Sequence, residues 1–317
     1  MERPSGYQPE QTKWPYTDEE RIWRAVGLLE EGFDRITNSE QFQEYLKTAA
    51  TFPDHSPNDI MMIFMQKPDA TRIADQRAWQ KLGRQVRPGE PGIHIFAPLV
   101  TRVQEETDDG QKQTVEVLRG IRLVNVFDIS ETEGESLPVP ENPNPPERPH
   151  ERGVWLFNQA SGMVRDQGGS VGFEDLIDTF PSRQGYYRTS DRHIGLEQTM
   201  MSDQRAKALV HEITHMVVLD AGGPQGSEKD DTVAEGTAFV VLNHFGIDSA
   251  NYSFPFVSNW AKDREALKST ISLIGAASNY IIGDIGLRSA SQAAQVYDQD
   301  AITHHGKFAR TNLKHNL

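Results

Sequence analysis

The sequence predicts an α+β protein of two domains. This prediction rests on two observations. The first is the segment 134–153 (GESLPVPENPNPPERPHERG), in which six prolines occur. Because proline fixes φ and lacks a backbone N–H, this segment predicts an extended linker with neither helix nor strand. The second is that helix-like and strand-like patterns alternate on both sides of it. We therefore predict an N-terminal domain at 1–133 and a C-terminal domain at 154–317, the latter ending in a polar tail.

Helix and strand signals follow one another in the N-terminal region. Thr17 and Glu20 have the spacing of a capping box, and apolar residues then recur at helical intervals. Ser56 and Pro57 predict a second helix start, before the apolar run IMMIFM. The strand-like runs 93–98, 115–118 and 121–129 come later. This mixture is typical of an α+β domain.

Composition excludes several classes of site. The chain has no cysteine, so disulfides and thiolate metal sites are excluded, and His, Asp and Glu are the strong metal ligands that remain. The N-terminus is polar and no apolar run approaches eighteen residues, which predicts a cytoplasmic protein with no membrane partner. The net charge of -14 argues against general, charge-driven nucleic-acid binding.

The motif VHEITH at 210–215 predicts a zinc site. On a helix, His211 and His215 lie one turn apart on the same face, so both imidazoles can bind one ion. Glu212 lies beside the first ligand, where it can act as the general base on the water that zinc activates. Ser202 is a plausible N-cap for this helix, and Gly222 and Gly223 predict its end. The motif therefore predicts a zincin-like metallopeptidase domain acting on a protein or peptide.

A catalytic zinc site needs a third protein ligand and one open position. Asp231 and Glu235 are four residues apart on the next predicted helix, so both face one side of it. One would bind zinc while the other orients a ligand histidine. The usual order of ligand and supporting acid favours Asp231, whereas its short side chain favours Glu235, so the spacing leaves both open.

A predicted hairpin, GYYRTSDRHIGL at 185–196, lies upstream of the motif. Tyr187 and His193 on it are candidates for polarising the scissile carbonyl or stabilising an oxyanion. The alternative for His193 is an exposed strand histidine with no catalytic part.

Long stretches of the chain resemble the ArdC-type antirestriction proteins. In the N-terminal region these are NDIMMIFMQKPDATRIADQRAWQKLGRQVRPGEPGIHIFAP (58–98) and VNVFDISETEGESLP (124–138). In the C-terminal region they are GYYRTSDRHIGL, the VHEITH helix, DDTVAEGTAF and SNWAKDREALKSTISLIGAASNYIIGD. The second set is similar to metallopeptidase domains related to the ImmA/IrrE-type endopeptidases. The family has Glu where this chain has Asp231, which is a departure at the third-ligand position.

The resemblance implies single-stranded DNA as a partner of the N-terminal domain, and carriage on plasmids or other mobile elements. The residues there that combine cations with an aromatic ring, as a DNA-tracking groove requires, are Lys67, Arg72, Arg77, Trp79, Lys81, Arg84 and Arg87. The alternative is an ordinary solvated face with Trp79 in the core, and composition alone favours it.

Three functions are compatible with the sequence. One is a DNA-binding, antirestriction-like protein that carries a zinc peptidase. Another is a regulatory endopeptidase that cleaves one protein partner. The third is a non-enzymatic DNA-coating protein in which zinc only stabilises the fold. Glu212 argues against the third, because a structural zinc site needs no general base.

Overall fold

The computed structural model describes residues 17–106, 112–137, 145–177, 184–223, 228–247 and 263–305. It is a mixed α+β structure, as the sequence predicts. The chain forms two compact units. The N-terminal unit comprises Met1–Ile36 and His55–Leu137, and the C-terminal unit comprises Thr37–Asp54 and Pro138–Leu317. The predicted polar tail at 306–317 lies outside the described residues.

The N-terminal unit packs helices against a small antiparallel sheet. The capping box predicted at Thr17 and Glu20 is confirmed, as is the helix start at Ser56 and Pro57. The three strand-like runs form two long strands, paired from Ile93↔Val126 to Glu106↔Lys112. The elements are α1 (Asp18–Arg35), α3 (Pro57–Gln66), β1 (Ile73–Ala74), α4 (Gln76–Lys81), β2 (Arg84–Val86), β3 (Ile93–Glu106), β4 (Lys112–Asp128) and β5 (Thr132–Gly134). The sheets have the orders β1-β4-β3 and β2-β5.

Side chains of α3 cover the outer edge of β3. Gln66 donates from Nε2 to the His94 carbonyl at 2.9 Å and accepts from the His94 N–H at 3.0 Å, as a neighbouring strand would. Asp59 accepts from the Phe96 N–H at 2.8 Å. Because an unpaired strand edge exposes main-chain groups, these two side chains satisfy groups that the sheet leaves open.

A buried carboxylate holds the turn after β4. Asp128 is 1% exposed and accepts from the N–H groups of Thr71, Arg72 and Ser130. Burial alone would raise the pKa of Asp128, but these hydrogen bonds outweigh it and hold the pKa below its usual value. Asp128, within the segment 124–138 on which the family resemblance partly depends, therefore has a structural role at this turn.

In its described residues, the C-terminal unit packs five helices with a three-stranded sheet of order β6-β8-β7. β6 runs parallel to β8, whereas β7 and β8 form the predicted hairpin. The elements are α2 (Ser39–Thr51), α5 (Pro149–Asp166), β6 (Ser170–Glu174), β7 (Gly185–Arg188), β8 (His193–Glu197), α6 (Ser202–Asp220), α7 (Glu228–His244) and α8 (Arg264–His305). Although α2 comes from the first sixty residues, it belongs here: Phe42 and Leu46 are fully buried, and His244 on α7 donates to the Ala50 carbonyl at 2.8 Å.

Two helices differ from their sequence predictions. α5 begins at Pro149, inside the segment predicted to be an extended linker without helix. Proline is compatible with the first turn, because the N–H that it lacks has no partner inside the helix there.

α8 contains one stretch, Arg264–Ser291, that is long and apolar enough to cross a membrane by length and composition. Its Leu267, Ile274 and Ile281 are buried within the unit. A buried core helix passes the same test of length and composition.

Candidate functional site

The helix α6 carries the VHEITH motif on a well-anchored backbone. Its Leu209 and Ile213 are fully buried, which fixes the rotation of the helix in the unit. The N-cap is Met201 and not Ser202 as predicted; the Met201 N–H donates to the Gln204 side chain at 3.0 Å. The Gln204 side chain thus satisfies the main-chain N–H of the N-cap residue, as the inner residue of a capping box does, and no hydroxyl caps the first turn. The predicted end is confirmed, since α6 stops at Asp220 before the turn at 221–223.

The two histidines of the motif face each other across one helical turn. The Nε2 atoms of His211 and His215 are 3.2 Å apart. Two nitrogens bound to one tetrahedral zinc at about 2.0–2.1 Å lie about 3.3 Å apart, so the pair already has the separation that one ion requires. Both rings are partly exposed, which leaves the site open to solvent on one side.

The helix α7 brings both candidate acids to these histidines, but at different atoms. Asp231 Oδ1 is 3.8 Å from His215 Nε2, and one ligand atom each of His211, His215 and Asp231 lies within 4.8 Å of the others. Glu235 Oε1 is instead 3.5 Å from His211 Nδ1, the ring nitrogen that faces away from the pair. This arrangement favours Asp231 as the third ligand and Glu235 as the acid that orients His211.

The charges around the histidines suit a cation. Burial alone would lower the pKa of His211, but the hydrogen bond that its ring donates to Glu235 and the nearby carboxylates outweigh burial and raise that pKa. Burial and the neighbouring His211 lower the pKa of His215. Burial would raise the pKa of Glu235, yet His211 and Lys207 lower it, so this carboxylate stays ionised. Glu235 thus supplies negative charge at the far side of His211, and Asp231 lies where the two imidazoles converge.

The candidate general base, Glu212, is buried and points toward the edge strand β7. A Cβ placed on Gly185 of that strand would lie 3.2 Å from Glu212 Oε1, so the glycine leaves the space that the carboxylate uses. Gly185 pairs with Leu196 and begins the hairpin. Sequence analysis did not identify Gly185, because its role depends on how β7 packs on α6.

Lys207 is a second residue near the site that sequence analysis missed. Its Nζ lies 3.1 Å from Glu235 Oε2, so Glu235 bridges Lys207 and His211 on consecutive turns of α6. The spacing of four residues between Lys207 and His211 was a usable signal, since it places both on one helical face.

The predicted catalytic role of His193 is wrong in this structure. Cross-strand partners share a sheet face, so His193, paired with Arg188, lies on the face opposite Gly185 and Glu212. There its ring nitrogens contact Ser170 Oγ at 2.8 Å and Glu174 Oε1 at 3.2 Å. Side chains alternate between the two faces of a strand, and in the observed register this alternation places His193 on the face away from the metal site.

Tyr187 lies on the same sheet face as Gly185, by the same alternation. Burial raises the pKa of Tyr187, and the charged groups that act on it are Arg192, Asp220 and Asp191, near the end of α6. Its role in polarising a carbonyl stays a prediction.

Trp79, the predicted base-stacking residue of the N-terminal unit, is in the core. Its side chain is fully buried, and its indole N–H donates to the Phe127 carbonyl at 2.9 Å. A stacking platform needs an exposed ring face, so this prediction is wrong and the core alternative is confirmed.

The predicted DNA-contacting cations divide into two groups. Arg84 and Arg87 bond to main-chain carbonyls at 130–135, and Lys67 pairs with Asp69 at 3.2 Å. Three others are exposed and have no side-chain partner among the described residues: Arg72, Arg77 and Lys81. Arg122 on β4, which the sequence analysis did not name, shares these properties.

The fold and the site together define a class: an α+β protein whose C-terminal unit gathers two histidines and a carboxylate as a candidate metal centre. Residues 28–127, about a third of the chain, match the family model described as the N-terminal domain of anti-restriction factor ArdC. The match confirms the predicted ArdC-type resemblance for this part of the chain.

Two proteins, one of them in two crystal structures, are similar to the chain. A protein of Bacillus anthracis described as uncharacterized is 19% identical over 278 residues, which are 76% of this chain and 47% of that protein. The chain thus spans about half the length of this relative. Two crystal structures of the antirestriction ArdC protein from plasmid R388 are 16% identical to it. The match to the metal-free structure covers 72% of this chain and 84% of the R388 chain, with a TM-score of 0.43. The match to the Mn(II)-bound structure covers 83% of this chain and 98% of the R388 chain, with a TM-score of 0.48.

Proposed function

We propose that this chain is an ArdC-type antirestriction protein whose C-terminal unit is a zincin-like, metal-dependent peptidase. The observation that carries the proposal is the convergence of His211, His215 and Asp231, with the buried Glu212 on the same helix as the histidines. The donor set fits a borderline divalent ion such as zinc: two imidazoles and one carboxylate leave a fourth position for water or substrate.

Each residue has a separate task in this proposal. His211, His215 and Asp231 would hold the ion, and Glu235 fixes the ring of His211 through Nδ1. A bound divalent ion would polarise a peptide carbonyl and make water acidic enough to lose a proton near neutral pH. Glu212 would accept that proton and deliver it to the leaving amine. Its burial beside Gly185 keeps the carboxylate in one position, which general base catalysis requires.

Glu212→Gln tests the peptidase part. We measure cleavage of a fluorescence-quenched peptide library by the zinc-loaded chain, and zinc content in parallel. The variant is expected to retain its zinc and to lose at least about a hundredfold in cleavage rate, because general base catalysis contributes about 10²–10⁴-fold. Asp203→Asn, an acid in the first turn of the same helix, is the matched control and should cleave at the wild-type rate.

Manganese belongs in the same titration as zinc, since one structure of the R388 protein is described as Mn(II)-bound. Cleavage that persists in Glu212→Gln would refute the assigned base. Zinc-loaded wild type that cleaves no peptide would favour the non-enzymatic coating protein over both peptidase hypotheses.

We also propose that the N-terminal unit binds single-stranded DNA. Arg72, Arg77 and Lys81 support this, because they are exposed and have no side-chain partner in the described part of the chain. The match of residues 28–127 to the N-terminal domain of ArdC supports it as well. In titrations of the full chain with an oligonucleotide, affinity should fall as salt rises, because cations on phosphates release counterions. A flat plot of log affinity against log salt would refute DNA binding at this surface. It would leave a regulatory peptidase, with the N-terminal unit recognising a protein substrate.

A further inference from the structure

A cavity of the C-terminal unit, separate from the candidate metal centre, has no part in the proposed peptidase. It has a volume of about 430 Å³ and lies between α5 and β6. None of His211, His215, Asp231 or Glu212 lines it. Its volume falls within the range of about 300–1,000 Å³ that is typical of small-molecule sites. The lining residues that matter here are Trp155, Phe157, Asn158, Ser161, Arg165 and Phe173.

Three aromatic rings give the cavity flat apolar walls. The rings of Phe157 and Phe173 stack with centroids 5.7 Å apart and planes 19° apart. Arg205 also lies over the Phe173 ring, 4.8 Å from its centroid. A planar ligand in the cavity would lie against the ring of Phe157. Trp155, held edge-on by Phe245 at 5.1 Å, provides a further wall.

The same cavity has polar groups that lack partners within the described part of the chain. The Ser161 hydroxyl is buried, with the residue 4% exposed, and makes no hydrogen bond. The Asn158 amide and the Arg165 guanidinium are exposed and have no side-chain partner there. Because a buried hydroxyl without a hydrogen bond costs free energy, Ser161 indicates that a ligand atom completes the site.

We propose that this cavity binds one nucleotide, with the base stacked on Phe157 and the phosphate on Arg165. A nucleobase has a flat π-face for the aromatic wall, and donors and acceptors on its edge for Ser161 and Asn158. A phosphate is the anionic group that a free guanidinium recognises best, through paired N–H donors. An aromatic side chain of a peptide would stack on the rings but would leave Arg165 and Ser161 without partners.

The nucleotide has two possible sources, free mononucleotide or a unit of single-stranded DNA, and both share this chemistry. The proposal stands apart from the peptidase site and from the cations of the N-terminal unit. It therefore predicts that nucleotide binding persists in Glu212→Gln and in Arg72→Gln, so the loss of either proposed function leaves it intact.

The test is calorimetric titration of the full chain with thymidine monophosphate, thymidine and inorganic phosphate. Thymidine monophosphate should saturate one site and bind about tenfold tighter than thymidine. Arg165→Gln should remove that difference while leaving thymidine binding unchanged. Phe157→Leu should weaken both ligands by about tenfold, because stacking on the ring is lost. Arg148→Gln, an exposed cation at the start of α5, is the matched control and should bind as wild type.

Two further titrations distinguish free nucleotide from single-stranded DNA, and a nucleotide from an aromatic side chain of a peptide. Tighter binding of the decamer (dT)10 than of the monophosphate, again dependent on Arg165, identifies single-stranded DNA as the source; equal affinity identifies free nucleotide. The proposal is overturned if thymidine monophosphate shows no saturable binding to the wild type, or if Arg165→Gln binds it as tightly. Binding of N-acetylphenylalanine amide in place of the nucleotide would assign the cavity to a peptide instead.

Discussion

The two units use their sequence-predicted residues in different ways. In the C-terminal unit, His211, Glu212 and His215 lie on one helix, and the structure keeps them together as the spacing requires. In the N-terminal unit, seven predicted DNA-contacting residues were drawn from a stretch of twenty-one, and the fold divides them. Trp79, Arg84 and Arg87 hold the unit together, whereas Arg72 and Arg77 stay exposed.

The comparison shows that residue spacing predicts a site reliably when all the residues of that site lie on one helix or strand. A stretch rich in cations and aromatic residues indicates only that side chains suited to DNA binding are present. Tertiary packing then determines which of these side chains lie on the surface and which hold the fold together. The predictions below test this contrast, from the largest expected effect to the smallest.

Trp79→Ala should destabilise the N-terminal unit by about 3–5 kcal/mol, because it leaves a large cavity and removes the hydrogen bond to Phe127. Urea unfolding of the full chain, followed by circular dichroism, measures this. Leu82→Ala, which replaces an exposed side chain just after the same helix, should cost less than about 1 kcal/mol. If Trp79→Ala unfolds like wild type but loses DNA affinity, the stacking role was correct after all.

His94 should make the N-terminal unit acid-sensitive. Burial, with a smaller effect of Arg21, lowers the pKa of His94 to about 4. The unfolded chain takes up this proton below about pH 6.5 and the folded chain does not, so stability is complete above pH 6.5 and falls as the pH drops toward 4. The loss should reach about 3 kcal/mol by pH 4.

His94→Gln is the comparison for this pH dependence. Chemical unfolding between pH 7 and pH 4 should show a flatter profile for the variant than for wild type, since both share every other titrating group. Parallel profiles would show that His94 has the same pKa in the folded unit as in the unfolded chain, which would contradict the effect of burial.

Glu235→Gln should weaken zinc binding by about 10–100-fold, since supporting partners of ligand histidines typically contribute that much. Lys207→Met, which removes only the partner of Glu235, should weaken it by less than about tenfold. Competition with a chelator of known affinity measures both. A loss for Glu235→Gln that exceeds the loss for Asp231→Ala would exchange the roles of the two acids.

Arg72→Gln should have the smallest effect, a few-fold loss of oligonucleotide affinity. The slope of log affinity against log salt should fall by about 0.7 for the phosphate contact that is lost. Arg84→Gln provides the contrast: it should lower the stability of the unit while leaving the salt slope unchanged, because its guanidinium bonds to main-chain carbonyls. Equal slopes for Arg72→Gln and wild type would place DNA elsewhere.

Much of the local structure was predictable. The capping box at Thr17, the proline at the start of α3 and the hairpin before α6 are confirmed, because each depends on residues within one turn or hairpin. What the sequence did not show depends on long-range packing. Examples are the grouping of α2 with the C-terminal unit and the space that Gly185 leaves for Glu212.

The choice between Asp231 and Glu235 shows the limit within the site itself. Both lie on one face of α7, so spacing cannot separate them. The structure distinguishes them only through the ring nitrogens that they approach: Nε2 of His215 for Asp231, and Nδ1 of His211 for Glu235. His193 failed for a related reason, since the sheet face of a strand residue follows from its pairing register.

Metal content is the most direct test of the account. Purified, folded wild type should hold about one zinc per chain by mass spectrometry, whereas His211→Ala and Asp231→Ala should hold close to none and keep their circular dichroism. The same measurement on His193→Ala should give the wild-type value, because that ring lies on the other face of the sheet. Folded wild type that takes up neither zinc nor manganese would contradict the account.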